Sequence, residues 1–252
     1  MGMKTFGLIG DGKIAEKHRR SIAKFGHFEF IYDPIKMQFQ SKLSLQKYLN
    51  KCPSVDYYVI ASPSDFHRQQ TQIILNHIGN SDSQIIVEKP AVLPWEPLID
   101  SSKINVVLQL RYLPGLPEKA DSVKAVFVRD EAYFKTWKGD ARKTGGLFLN
   151  LFIHFIDLAI QLDADFEGLV IPKGNQEKYI QHRSEGHKTQ RFIMPNEIQT
   201  CYDLMYEDIL SDGGIKPKEL FYLNWILQRN SEIFGYGKEA MNKVIRIGKE
   251  LM

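Results

Sequence analysis

Asn150, His154 and Asp157 are the only polar side chains among the first eleven residues of the stretch 147–162, and all the others there are apolar. A helix that is apolar nearly all round is a buried one. At roughly 100° per residue, the spacings i, i+4 and i+7 put the three polar groups on one face. A polar group left unpaired in such a place costs about 1–3 kcal/mol, so the stripe must meet hydrogen-bond partners, a ligand or a substrate. The competing reading is a satisfied core histidine. An unperturbed imidazole titrates near pH 6.5, close to the working pH that suits a general base, which makes His154 the better candidate for that role. Lys89, between Glu88 and Pro90 at the end of an apolar run, offers the second group. As an ammonium it steadies a developing alkoxide, and burial that lowers its pKa would let it share the proton. The two together suit the oxidation of a secondary alcohol, in which a base takes the hydroxyl proton while a cofactor takes the hydride. Their order of action is open, and the alternative for Lys89 is a surface lysine before a proline.

Other side chains fit around this pair. Asn150, one turn before His154, faces the same space and suits a hydrogen bond to a sugar. Asp157, one turn after it, either orients the imidazole or pairs with a neighbouring cation. Arg111 and Lys138 suit phosphate or carboxylate, since a guanidinium fork matches an oxyanion with two parallel hydrogen bonds. Trp137 either stacks on a ring or, as the better-favoured alternative, fills core space. Lys89, Arg111, Lys138, Asn150, His154 and Asp157 are the catalytic and substrate-binding candidates, and nothing in the spacing suggests a metal site.

The elements that position them start with a strand at residues 5–9, which runs into Gly10-Asp11-Gly12-Lys13-Ile14-Ala15 and then a helix at 16–25. Strand, glycine turn and helix in this order form a dinucleotide site. Gly10 permits the tight turn, Gly12 lets the backbone approach a pyrophosphate, and Ala15 lets helix and strand pack closely. Phosphate charge would lie on Gly10, Gly12, Lys13 and Ile14 at the helix N-terminus. A second strand at 28–32 ends on Asp33, about twenty residues on, where a carboxylate accepts the ribose hydroxyls of adenosine. That carboxylate repels a 2′-phosphate and Pro34 supplies no cation to offset it, so NAD is the expected cofactor rather than NADP. Further strands at 55–61, 84–87 and 105–109 alternate with helices at 66–77 and 94–102, the pattern of a doubly wound parallel sheet. Ligands lie beyond the carboxyl ends of such strands. Ser62, Pro63 and His67 therefore join Asp33, Glu88 and Lys89 as cofactor-side candidates, with His67 either capping its helix or lying near the nicotinamide ribose.

A length of 252 residues with 43% hydrophobic content supports two modest domains with a sizeable core. The net charge of +3 is spread without a basic block, and the local cluster at residues 17–20 suits an exposed helix face, so nucleic-acid binding is not expected. Cys52 and Cys201 have neither metal-ligand spacing nor a disulfide pattern and read as reduced thiols. Neither a signal peptide nor a membrane span is apparent, and a cytoplasmic protein is expected. The chain divides into a nucleotide-binding domain at 1–113 and a shortened α+β substrate-binding and oligomerisation domain at 114–252. The latter is built on an open, mostly antiparallel sheet with strands at 123–128, 166–171 and 189–194. Residues 176–188 read as a polar loop, and 216–252 as two helices broken near residues 235–237. An open sheet face needs cover, so a homodimer or homotetramer is expected.

The glycine turn, Glu88-Lys89-Pro90, Gln109-Leu110-Arg111, Trp137-Lys138-Gly139-Asp140 and the His-bearing helix after Gly145-Gly146 together resemble the Gfo/Idh/MocA oxidoreductases. The resemblance covers about residues 4–160 and implies that Lys89 is catalytic. These motifs look like those of the bacterial enzymes that oxidise the 3″-hydroxyl of UDP-N-acetylglucosamine or its uronic acid for surface-polysaccharide sugars. The resemblance implies NAD as cofactor, a UDP-sugar as partner, and NADH that is either released or recycled in place by a 2-oxo acid. Two features depart from that pattern: the second domain is short, and Tyr202 stands where such enzymes often carry a histidine. Alternatives are a dehydrogenase of a free sugar or polyol, and a non-catalytic homologue that serves as a binding or scaffold protein.

Overall fold

A computed structural model of the chain describes residues 2–36, 44–146, 148–173 and 195–220. Five strands, β1 (Lys4–Ile9), β2 (Gly26–Tyr32), β3 (Tyr57–Ile60), β4 (Gln84–Val87) and β5 (Ile104–Val106), form one parallel sheet in the order β2-β1-β3-β4-β5. The apolar runs of β1, β3 and β4 do not alternate with polar residues because both faces are covered, whereas the edge strand β2 alternates, with His27 and Glu29 exposed. Phe6, Leu8, Tyr57, Val59 and Ile86 pack towards helix α1 (Ala15–Phe25). Ile9, Tyr58, Ile60, Ile85 and Val87 pack on the other side, with Leu45 and Leu49 of α2 (Leu45–Leu49) and Ile74 and Ile78 of α3 (His67–Ile78). The α/β class and the doubly wound sheet expected from the sequence are therefore present. The chain leaves β1 for β2 on one side and returns to β3 on the other, so a crevice opens beyond the ends of β1 and β3.

The second unit pairs β6 (Ser122–Arg129) with β7 (Asp165–Pro172). The pair is parallel, which corrects the expectation of a mostly antiparallel sheet for the strands described. Parallel neighbours need a long crossover, and here it contains α4 (Glu131–Phe134), α5 (Ala141–Thr144) and α6 (Ile153–Gln161). Phe152 of this crossover and Phe166 of β7 meet at 5.8 Å, which closes the helix onto the strands. Helix α7 (Pro195–Leu210) does not stay with this unit. It returns to the first sheet, where Tyr202, Met205, Tyr206 and Ile209 pack with Phe6 and Leu8. Asp203 binds Ser21 Oγ and Lys24 Nζ of α1, both at 2.6 Å. Beyond α7, Ile215 accepts a hydrogen bond from the Val106 amide at 2.8 Å and so flanks β5.

Two other expectations change. Residues 94–102 contain no helix: Pro97 has no amide to donate and its ring opposes a helical turn, and its carbonyl instead accepts from Arg68 Nε at 3.1 Å. The strand expected at 105–109 is shifted to β5, and Gln109–Tyr112 form a tight turn. The strand at 189–194 and the loop at 176–188 lie outside the described residues, as do the two helices expected at 216–252 apart from their start, where Pro217–Leu220 form one short 3-10 turn. Among the described residues, no helix is long and apolar enough to cross a membrane, and no group of His, Cys, Asp or Glu could hold a metal ion. Neither Cys52 nor Cys201 is in a disulfide.

Candidate active site

Gly10 closes β1 with φ +88, and a Cβ there would lie 2.6 Å from the Ser62 amide, so only glycine lets the ends of β1 and β3 approach this closely. Gly12 has nothing within 4 Å of a Cβ position, and the N-terminus of α1 after Lys13 and Ile14 has no side-chain cap. The space beside Gly12 is thus open and fits a pyrophosphate, while the Ala15 and Lys17 amides turn to the Gly12 and Ile14 carbonyls at 3.1 and 3.0 Å. Asp33, at the end of β2, binds the Asp11 amide through Oδ2 at 2.8 Å and the amides of Ile35 and Lys36 through Oδ1 at 2.9 and 3.1 Å. The acid at the second strand end is thereby anchored to the glycine turn. Ser62 Oγ donates to Gln70 at 2.6 Å, and Pro63 opens the short turn leading to α3. His67 lies at the base of this loop with one ring nitrogen 2.7 Å from the Pro90 carbonyl and the other 2.8 Å from that of Ser62. It ties the β3 end to the Glu88-Lys89-Pro90 segment, in which the Lys89–Pro90 bond is cis. Burial pushes its pKa down, against the pull of those two carbonyls.

Glu88 is 4% exposed, and its carboxylate turns to the α1–α7 face. It accepts from Tyr202 at 2.6 Å, meets His18 Nε2 at 3.1 Å, and accepts from the Lys89 amide at 3.2 Å. His18 Nδ1 in turn meets the Tyr206 hydroxyl at 2.8 Å. Burial would raise the Glu88 carboxyl, but His18, Tyr202 and Lys89 outweigh it and hold the pKa at about 2. This network escaped the sequence reading, which placed His18 in an exposed basic cluster; it is fully buried. The signal was present, because Ala15, His18 and Ile22 share the buried stripe of α1, and Tyr202 and Tyr206 stand one turn apart.

Lys89 extends from the β4 end towards the His helix. The glycines that open this helix both have positive φ, +74 at Gly145 and +86 at Gly146. The first turn, Phe148–Phe152, is wound wide, with π-type hydrogen bonding, before α6 begins at Ile153. Wide turns of this kind recur at functional sites, and here the Asn150 carbonyl accepts from Lys89 Nζ at 2.7 Å. The wide turn carries Asn150, whereas His154 and Asp157 both stand on the regular α6. Asn150 Nδ2 donates to the Tyr133 hydroxyl and to the Lys138 carbonyl, both at 2.9 Å. Asp157, 1% exposed, is gripped by the Arg111 fork at 2.8 and 2.7 Å, so of its two expected roles it takes the cation pair. The same fork faces Glu219 at 3.6 Å, so Arg111 is occupied by carboxylates of the chain itself.

His154 keeps a buried Nδ1 with no hydrogen-bond partner. Burial, and then the Lys89 ammonium, lower its pKa to about 3, which removes the premise of an unperturbed imidazole. Lys89 moves the other way relative to neutrality. Burial lowers it to about 8, with Glu88 opposing and Lys138 reinforcing the shift. Lys138 is itself lowered by burial and by Lys13 and Arg129, so four cations, Lys13, Lys89, Lys138 and Arg129, converge across the two units. Among the described residues no carboxylate answers Lys138 or Arg129. The Arg129 guanidinium stacks 4.9 Å from the Tyr133 ring centre and leaves its buried Nε without a partner. Trp137 is 38% exposed beside Lys138, at the rim rather than in the core.

No family model matches the sequence. Among solved structures, the chain is similar to the WlbA (WbpB) dehydrogenase from Thermus thermophilus in complex with NAD and UDP-GlcNAcA. The match has 22% identity and a TM-score of 0.59, over 99% of this chain and 94% of that one. It is also similar to a myo-inositol dehydrogenase from Corynebacterium glutamicum, with 13% identity and a TM-score of 0.53, over 98% and 95%. The WlbA dehydrogenase from Bordetella pertussis, in complex with NADH and UDP-GlcNAcA, matches over 66% and 61% at 22% identity and a TM-score of 0.50. The fold is thus that of the Rossmann-type dehydrogenases. Within that class the fold is shared with the WlbA dehydrogenase and a myo-inositol dehydrogenase.

Proposed function

We propose that the chain is an NAD-dependent oxidoreductase that oxidises the 3-hydroxyl of a UDP-N-acetyl-hexosamine or its uronic acid, for the sugars of a surface polysaccharide. One observation carries the reading: Lys89, with a pKa of about 8, and the unpartnered Nδ1 of His154 lie together beyond the sheet's carboxyl edge. Gly10, Gly12, Lys13, Ile14 and Asp33 would hold the dinucleotide, and Ser62, Pro63 and His67 would wall its nicotinamide end. The nicotinamide, when bound, takes the hydride from the alcohol carbon. Lys89 as the neutral amine accepts the hydroxyl proton at Nζ, while its hydrogen bond to the Asn150 carbonyl keeps the amine oriented. His154 stays neutral at physiological pH and hydrogen-bonds the reacting oxygen, and Asn150 and Tyr133 fix the turn that carries it. Glu88 balances the charge of Lys89 from below without touching the substrate.

The substrate class follows from charge. The cations Lys138 and Arg129, which no described carboxylate answers, favour an anionic sugar nucleotide over the neutral polyol of the inositol dehydrogenases. A homo-oligomer suits the second unit, whose outer sheet face exposes Val126 and Leu169, both at 37%. The test is absorbance at 340 nm when the protein meets NAD with UDP-GlcNAcA, UDP-GlcNAc or myo-inositol. NADH formation with a UDP-sugar supports the reading. Formation with myo-inositol alone would refute the substrate class, and none with any alcohol would favour a non-catalytic homologue.

A further inference from the structure

The glycine turn carries a charged group with no task in the scheme above. Asp11, between Gly10 and Gly12, gives its amide to Asp33, so it stands where the ends of β1 and β2 meet. Its carboxylate takes two cations. Arg19, about one turn into α1, binds Oδ1 through Nε at 3.1 Å and through Nη2. Lys36, three residues past Asp33, binds Oδ2 at 2.6 Å and also the Asp11 carbonyl at 2.6 Å. Burial alone would raise the Asp11 carboxyl, but the hydrogen bonds from Lys36 and Arg19 outweigh it and hold the pKa below the usual range.

A 2′-phosphate on the adenosine ribose would lie beside Asp33. Although Pro34 offers no cation there, the fold brings up two from elsewhere, and a guanidinium with an ammonium is the pair that grips a phosphate. With Asp11 and Asp33 opposing Arg19 and Lys36, the local charge sums to zero. Without Asp11 it is +1, and both donors are free to turn to a dianion.

We propose that Asp11 is a specificity-determining residue for the cofactor: by occupying Arg19 and Lys36 it withholds them from a 2′-phosphate. The inference rests on the dinucleotide site of the proposed function and adds a second acid to Asp33. Asp33 favours the free ribose hydroxyls, and Asp11 disarms the cations that would reward the phosphate.

The test is the binding of NADH and NADPH to wild type and variants, followed by quenching of protein fluorescence, which needs no turnover. Wild type should prefer NADH at least about tenfold. Asp11→Ala and the isosteric Asp11→Asn should each gain about tenfold for NADPH while NADH stays within about threefold, the size expected for two partly exposed ion pairs. Adding Arg19→Ala and Lys36→Ala should abolish the gain. Folded Asp11 variants with an unchanged preference would overturn this inference while leaving NADH binding, and the functional reading, intact. A wild type that prefers NADPH would also overturn it. Failure of wild type to bind either dinucleotide would instead overturn the functional reading on which it rests.

Discussion

If Lys89 is the proton acceptor, replacing it by arginine separates its charge from its basicity, because a guanidinium does not lose its proton in a protein. Burial, countered by Glu88 and reinforced by Lys138, brings Lys89 from 10.5 to about 8. At pH 7 roughly a tenth of an amine with that pKa is neutral, against about one in three thousand for an unshifted lysine, so the site gains about 300-fold in reactive base. The assay is kcat/KM for UDP-GlcNAcA oxidation, followed at 340 nm from pH 5.5 to 9.5 with saturating NAD. The rate should rise about tenfold per pH unit below about 8 and level off above it. His154, at about 3, contributes no break in that range. Lys138→Ala removes a cation that lowers Lys89, so the break should move to higher pH. Lys89→Arg should cost at least about a hundredfold at every pH and erase the break. A break near 6.5 that Lys138→Ala leaves in place, or a near-normal rate in Lys89→Arg, would refute the reasoning.

His154→Asn should fold and bind NADH, as fluorescence quenching would report, yet lose about a hundredfold in turnover; normal turnover would make the residue structural. The same variant bears on acid stability. The folded pKa of His154, about 3, lies below its unfolded value of 6.5, so the unfolded chain binds the extra proton and stability falls as pH drops through that window. Denaturant melts from pH 7 to 3 should therefore be flatter in the variant by up to about 1.4 kcal/mol per pH unit. The further loss from Glu88, between 4.5 and about 2, should remain in both proteins. Tyr202→Phe removes a hydrogen bond to the buried Glu88 carboxylate, worth about 1.5–3 kcal/mol, and should lower Tm by several degrees; an unchanged Tm would contradict the network. Sedimentation at micromolar concentration should find an oligomer, and a monomer would count against the interface proposed on the second unit.

The parallel sheet was legible because apolar runs such as residues 84–87, bounded by polar turns, have one sensible location, buried on both faces. Gly10 and Asp33 were legible because their spacing reflects a local strand-turn-helix-strand unit. What could not be seen depends on distance along the chain. His18, Glu88, Tyr202 and Tyr206 meet across separations of 70 to 188 residues, and no local pattern encodes such a meeting. The face shared by Asn150, His154 and Asp157 was inferred from ideal helical geometry, which showed neither the wide turn at Phe148–Phe152 nor the partners that Asn150 and Asp157 take. The return of α7 to the first sheet was equally hidden, since an apolar stripe states that a face is buried but not against what. The pKa shifts of Lys89 and His154 arise from desolvation, a property of the assembled fold rather than of either residue.

The central claim is hydride removal from a sugar carbon at the site that Lys89 and His154 share, and isotope transfer tests it most directly. UDP-GlcNAcA deuterated at C3 is incubated with NAD and the wild-type protein, and the nicotinamide product is examined by proton NMR. The account predicts deuterium at C4 of the reduced nicotinamide and a 3-keto sugar in equal amount, with both lost in Lys89→Arg although that variant still binds NADH. Deuterium retained at C3 while NADH accumulates, or undiminished transfer in Lys89→Arg, would contradict it.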